Sequence, residues 1–176
     1  MNNIYTKLEE RILKTLCYAD VFDFAMKKEE VGRFLIGKDR IELTDISRAI
    51  DLLVKKNIVI VKDELIALGG REKLFNISLE RRRVSRQKLD KSVQQIEFLG
   101  RIPWVLGVFI TGALAVHNAQ DNDDIDLMVI TRSGKLWSTR LLMATWLQLV
   151  GLRRKPNTVD AKDLFCVNLW MDENNL

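Results

Sequence analysis

The run DIDLMVIT, residues 124–131, constrains this chain more than any other segment. It alternates at its start and then turns wholly apolar, as a strand does when it begins near solvent and ends in a core. Side chains on an extended backbone alternate between faces, so Asp124 and Asp126 point one way and Ile125 and Leu127 the other. Two neighbouring carboxylates repel unless a cation lies between them. Oxygen-only ligands suit Mg²⁺, which keeps waters and bridges to substrate phosphates. Taken alone, such a pair also describes an ordinary solvent-facing strand end, so the segment before it decides.

That segment begins with VLGVFIT (105–111), apolar and rich in β-branched residues, which predicts a buried strand. Gly112 follows, then ALAVHNA as a short helix, then the polar loop QDND. In order, spacing and flanking apolarity, TGALAVHNAQDNDDIDLMVIT (111–131) resembles the polymerase-beta-like nucleotidyltransferase superfamily. The usual signature there is Gly-Ser, a short spacer, then Asp-x-Asp on the second strand. The resemblance covers residues 104–171.

The resemblance implies Mg²⁺-dependent transfer of a nucleoside monophosphate from an NTP, with ATP the expected nucleotide, to a hydroxyl acceptor. Asp124 and Asp126 would be the catalytic metal ligands. The turn at Thr111, Gly112 and Ala113 would lie against the triphosphate, since a glycine lets the backbone approach closely. Past the strand, Ser133 is an expected N-cap for the helix through LWSTRLLMATWLQLVGL, and Lys135 and Arg140 are candidates to reach phosphate or else plain surface charge.

Several positions depart from that pattern. Ala113 stands where the signature has serine, which removes a hydroxyl but leaves the backbone N–H groups. His117, the sole histidine, stands where relatives often have glycine; a lone histidine is more often a packing or surface residue than a catalyst. Active members often carry a third carboxylate on a later strand. The matching strand, DLFCVNLWM (163–171), offers Cys166, Asn168 and Trp170 on one face and no carboxylate. Asn168 would take that place, and Asp163 at the strand's start is the nearest acidic substitute. Relatives also continue into further helices, so the chain reads as a truncated core.

The first half alternates short amphipathic helices. Ile4, Leu8, Ile12 and Leu16 make one stripe, and a second helix is expected over Lys28–Ile36, ending near Gly37. A third follows in DISRAIDLLVKK, with Thr44 as N-cap and Ile46, Ile50, Leu53 and Val54 on its buried face. IVIV-KDE-LIAL (58–68) reads as a hairpin. Three helices and a hairpin is the order of a winged helix-turn-helix domain, and YADVFDF (18–24) resembles the first-helix exit of such domains fused to nucleotidyltransferases. A winged helix implies DNA binding through the third helix, with Ser47 and Arg48 as contacts. That helix would expose Asp45, Ser47, Arg48, Asp51 and Lys55, a mixed set with little positive field. The alternative function is therefore a non-catalytic DNA-binding regulator with a degenerate nucleotidyltransferase domain.

Between the halves, Arg71 to Gly100 runs without proline or internal glycine, and Val84, Leu89, Val93, Ile96 and Leu99 form an apolar stripe on a long connecting helix. The chain's excess of 28 basic over 24 acidic residues lies wholly in residues 71–100, concentrated in ERRRVSRQKLDK. The plain reading is a solvated helix face; the other is a patch for nucleic acid or phosphate. The expected fold is thus α+β: a winged helix over 1–70, a connecting helix over 71–100, and a mixed-sheet nucleotidyltransferase core over 101–176. Cys17 and Cys166 are far apart and, with one histidine, suggest neither a zinc site nor a disulfide. The N-terminus is not a signal peptide, since charges interrupt its apolar positions. Ile102 to Gln120 is 19 residues without a formal charge, but Pro103, Gly107 and Gly112 make it a strand, turn and helix rather than a membrane span. The expected location is the cytoplasm.

Overall fold

The computed structural model describes residues 5–156, 158 and 160–175. It is a mixed α+β protein that divides into two compact units, Met1–Glu80 and Arg81–Leu176.

In the first unit, α1 (Lys7–Asp20) opens on a capping box. Thr6 Oγ1 accepts from the Glu9 N–H at 3.2 Å, and Glu9 Oε2 accepts from the Thr6 N–H at 2.6 Å. Leu8, Ile12 and Leu16 of the expected stripe face the core, while Ile4 lies outside the described residues. Next come β1 (Met26–Lys27), α2 (Lys28–Arg33), α3 (Leu43–Lys55), β2 (Val59–Lys62) and β3 (Leu65–Leu68). The sheet order is β1-β3-β2, antiparallel throughout. Asp63 and Glu64 both take positive φ, 50° and 67°, as a two-residue hairpin with right-handed strand twist demands.

Two helix ends differ from expectation. α2 stops at Arg33 rather than Ile36, because the Ile36 N–H donates to Thr15 Oγ1 and its carbonyl accepts from Arg11 Nε. α3 starts at Leu43 with Glu42 as its cap, which places Thr44 inside the first turn instead of at the N-cap.

The helix α4 (Lys73–Gly100) carries a stripe the apolar count did not show. Ser78, Ser85 and Ser92, each seven residues from the next, are all buried, and Leu99 continues the series. In the first unit Ser78 Oγ accepts from the Ala25 N–H; in the second, Ser85 Oγ accepts from the Ala119 N–H. Small hydroxyls let neighbouring backbone approach and satisfy its N–H groups, which an apolar side chain cannot do. Val93, expected in the stripe, is instead exposed.

The second unit is built on β4 (Val105–Ile110), β5 (Ile125–Thr131) and β6 (Phe165–Asp172), with α5 (Gly112–Ala115) between the first two and α6 (Leu136–Leu149) between the last two. β5 is central, antiparallel to β4 and parallel to β6. β4 is therefore an edge strand with Leu106 and Phe109 exposed, not the buried strand its composition predicts. Residues of β5 alternate between buried and half-buried from Ile125 to Thr131. Ile125, Leu127 and Val129 pack with Leu99, Met143, Leu147 and Phe165 into one core. Each fully buried aliphatic side chain there contributes roughly 2 kcal/mol. α6 begins after Lys135, and Ser133 is not its cap: Ser133 Oγ accepts from Asn174 Nδ2 at 2.8 Å. No helix among the described residues is long and apolar enough to cross a membrane, and residues 102–120 hold β4 and α5.

Candidate metal centre

Asp126 lies on the face of β5 opposite the core, and Asp124 immediately precedes the strand on the same side. The parallel register sets Cys166 of β6 beside Asp126. Ligand atoms of Asp124, Asp126 and Cys166 all lie within 4.8 Å of one another. The turn before α5 closes the other side. The Thr111 N–H donates to the Asp126 carbonyl at 2.9 Å, which brings the Gly112 backbone against the Asp126 carboxylate. Gly112 has φ +64°, and a Cβ there would sit 2.5 Å from Asp126 Oδ2. A side chain there would be strained in conformation and would push the Asp126 carboxylate aside. Thr111 Oγ1 is buried and makes no hydrogen bond, while Ala113 is exposed on α5. His117 takes φ 56° at the end of this short helix, in the left-handed region that favours glycine, and is exposed.

Each carboxylate accepts from an N–H donor of a distant side chain. Arg154 Nη1 donates to Asp124 Oδ2 at 2.5 Å, and Asn168 Nδ2 donates to Asp126 Oδ1 at 2.8 Å. Arg154 reaches the pair because Leu152–Arg154 runs along β6: the Phe165 N–H donates to the Leu152 carbonyl and the Arg154 N–H to the Phe165 carbonyl. Burial, and next the charge of Asp124, raise the Asp126 pKa above the ordinary aspartate range, against the opposing pull of Cys166 and Arg154. The Cys166 thiol is likewise raised, first by burial and then by Asp124 and Asp126. Burial and the neighbouring charge thus disfavour the ionised form of Asp126, a cost that a bound cation would offset.

β6 departs from regular alternation. Leu127 pairs with Val167 but Met128 pairs with Leu169, so Asn168 is the extra residue of a bulge. The bulge re-aims the strand: Cys166 shares the carboxylate face, whereas Trp170 pairs with Val129 and packs against the core. The expected row of Cys166, Asn168 and Trp170 on one face is therefore broken. Asp163 is not a third ligand. Lys88 Nζ donates to Asp163 Oδ1 at 2.7 Å and to the Asp123 carbonyl at 2.9 Å, and Lys91 lies 3.8 Å from the same carboxylate. Lys88 itself is buried, so part of the basic excess in α4 is structural.

The remaining candidates separate. Arg140 lines a cleft of about 330 Å³ that also receives Arg153, Arg154, Lys155 and Cys166, and so lies close to the pair. Lys135 follows the far end of β5, with its ammonium 6.0 Å from the Trp104 ring centre. A seven-residue strand at about 3.3 Å per residue separates it from Asp124. In the first unit, Ser47 Oγ accepts from Lys28 Nζ at 3.2 Å, and Arg48 pairs with Asp45 at 3.3 Å.

The sequence reading found Asp124, Asp126 and Gly112 but gave no role to Cys166 or Arg154. The signal for Cys166 was present, since it occupies the strand where a third ligand was sought. Arg154 had none beyond its charge. No family model matches the chain, and neither a curated protein nor a solved structure is similar to it.

Proposed function

We propose that the second unit is a nucleotidyltransferase-like core that binds Mg²⁺ at Asp124 and Asp126 and transfers a nucleoside monophosphate from an NTP to a hydroxyl acceptor. One observation carries this reading: a glycine of positive φ lies directly against one of two carboxylates that share a sheet face. A phosphate group on the Gly112 turn would then lie beside the cation those carboxylates hold.

Two adjacent carboxylates fit a hard cation that keeps most of its waters, and the Cys166 thiol adds no oxygen ligand to it. Mg²⁺ bound there would neutralise phosphate charge and stabilise the attacking and leaving oxygens of an in-line displacement. The chain's own part is positioning. Asn168 fixes one oxygen of Asp126, leaving the other toward Gly112. Arg154 holds Asp124 and can exchange that carboxylate for a phosphate oxygen.

Calorimetry of Mg²⁺-dependent ATP binding tests the reading. The wild-type chain should bind ATP more tightly with Mg²⁺ than without, and Asp126→Ala should lose that increment. Equal metal dependence in both proteins would remove the centre.

The order of helices and strands in the first unit, with its three-stranded sheet, supports a winged helix. A duplex-binding role for it rests on Ser47 and Arg48. Both are engaged by neighbours, and Arg48 is offset by Asp45, so the weight of the proposal stays on the second unit.

A further inference from the structure

We infer that the cleft along β6 is a binding site for the polyphosphate of a small ligand, with Arg154 divided between that ligand and Asp124. The inference rests on the nucleotidyl-transfer reading for the identity of the ligand and deepens it by naming where the phosphates lie.

Arg140 projects from α6, and Arg153, Arg154 and Lys155 come from the segment that runs beside β6, so four cations line one cleft of about 330 Å³. Among the described residues only Arg154 of these four meets a carboxylate, that of Asp124. Cations gathered with so few counter-charges repel one another, so the arrangement favours an anion of several charges. Its volume falls in the range of small-ligand sites rather than that of a macromolecular groove. Phe165 and Trp170 supply an apolar wall, and Trp170 is held in place by donation from Nε1 to the Val167 carbonyl at 3.0 Å. Three guanidinium groups suit phosphate oxygens, which they meet with paired N–H donors. Because Arg154 and Cys166 border both the cleft and the carboxylate pair, a phosphate chain seated on Arg140 and Arg153 ends beside Asp124.

Calorimetry on the full chain, with a chelator present and at low salt, tests this with sodium triphosphate and with ATP as separate probes. Both should bind wild type; ATP alone binding would place recognition on the nucleoside and overturn the assignment. The double variant Arg140→Ala/Arg153→Ala should weaken triphosphate binding at least about tenfold, whereas Arg153→Lys, which keeps the charge but not the paired donors, should weaken it less than Arg153→Ala. Lys155→Glu, a change on an exposed segment, should weaken binding in the same direction and gives an independent reading should the double variant misfold. Asp124→Asn should tighten metal-free triphosphate binding, because it releases Arg154. Unchanged affinity in both cleft variants, an equal loss in Lys135→Ala, or binding confined to long oligonucleotides would each overturn the proposal. Asp126→Ala keeps metal-free triphosphate binding here, so failure of the metal centre and failure of the cleft are read separately.

Discussion

Cys166 stands in strand register with Asp126, and its sulfur would weigh on which cation the proposed centre prefers. A carboxylate at that position would complete a hard, oxygen-only set; a thiol offers a soft ligand that favours Zn²⁺ or Cd²⁺ once deprotonated. Burial and the two aspartates raise the thiol pKa and favour its neutral form, so a bound Mg²⁺ would meet two carboxylates and a neutral neighbour. Cys166→Asp should therefore raise Mg²⁺ affinity by about tenfold and reduce Cd²⁺ affinity, both measured by calorimetry. A variant that binds Mg²⁺ no better than wild type would show that Cys166 lies outside the coordination sphere. At this scale the sequence was legible where the chemistry is local. Asp124 and Asp126 share a face because strands alternate, and Gly112 marks a turn that favours glycine both by its positive φ and by the carboxylate against it. The Cys166 and Arg154 contacts are made across strands by residues distant in sequence, and no spacing rule reports them.

Among the elements, α4 shows most clearly why a polar stripe escapes a search for apolar periodicity. Its inward face in the second unit includes Ser85, Lys88 and Ser92, and Lys88 is only 3 % exposed. That ammonium donates to the carbonyl of Asp123, the residue before Asp124, and to the Asp163 carboxylate at the entry to β6. It thereby fixes the starts of the two strands that carry the centre. A buried cation is tolerated only with such partners, and removing it takes the near cation from a half-buried carboxylate that Lys91 reaches only at 3.8 Å. Lys88→Met should cost about 3 kcal/mol in denaturant unfolding and weaken Mg²⁺ binding through displacement of Asp124. Full stability with unchanged metal affinity would refute the positioning role. The hairpin, α3 and β5 were readable because their patterns are periodic and their turn residues characteristic. The β6 bulge was not, since a bulge is a property of pairing and leaves no regular trace in one strand's sequence.

For the whole molecule, acid should act on the two units with opposite sign. In the first, Glu9 has its pKa lowered, chiefly by the hydrogen bond from Lys56 Nζ at 2.7 Å, and its side chain is 2 % exposed. The unfolded chain binds that proton more readily than the folded one, so the stabilisation is complete above the unfolded carboxylate range. It is lost as pH falls through the lowered folded value. In the second unit Asp126 is raised, and the sign reverses: the folded state holds its proton longer. Stability from this group is greatest in acid and declines as pH rises from the ordinary aspartate value through the raised one. Asp121 is also lowered, by Lys162, but its carboxylate is 70 % exposed and solvent screens the effect. Divalent cation binding should cancel the Asp126 term, because it favours the deprotonated pair and adds stability by mass action. Melting temperatures across the carboxylate range, with chelator and with Mg²⁺, can separate the two contributions. Glu9→Gln should remove much of the loss in acid without changing the Mg²⁺ increment. Asp126→Asn should flatten the decline toward neutral pH and abolish that increment. If Asp126→Asn left both the slope and the increment in place, the carboxylate would be neither the raised group nor a metal ligand.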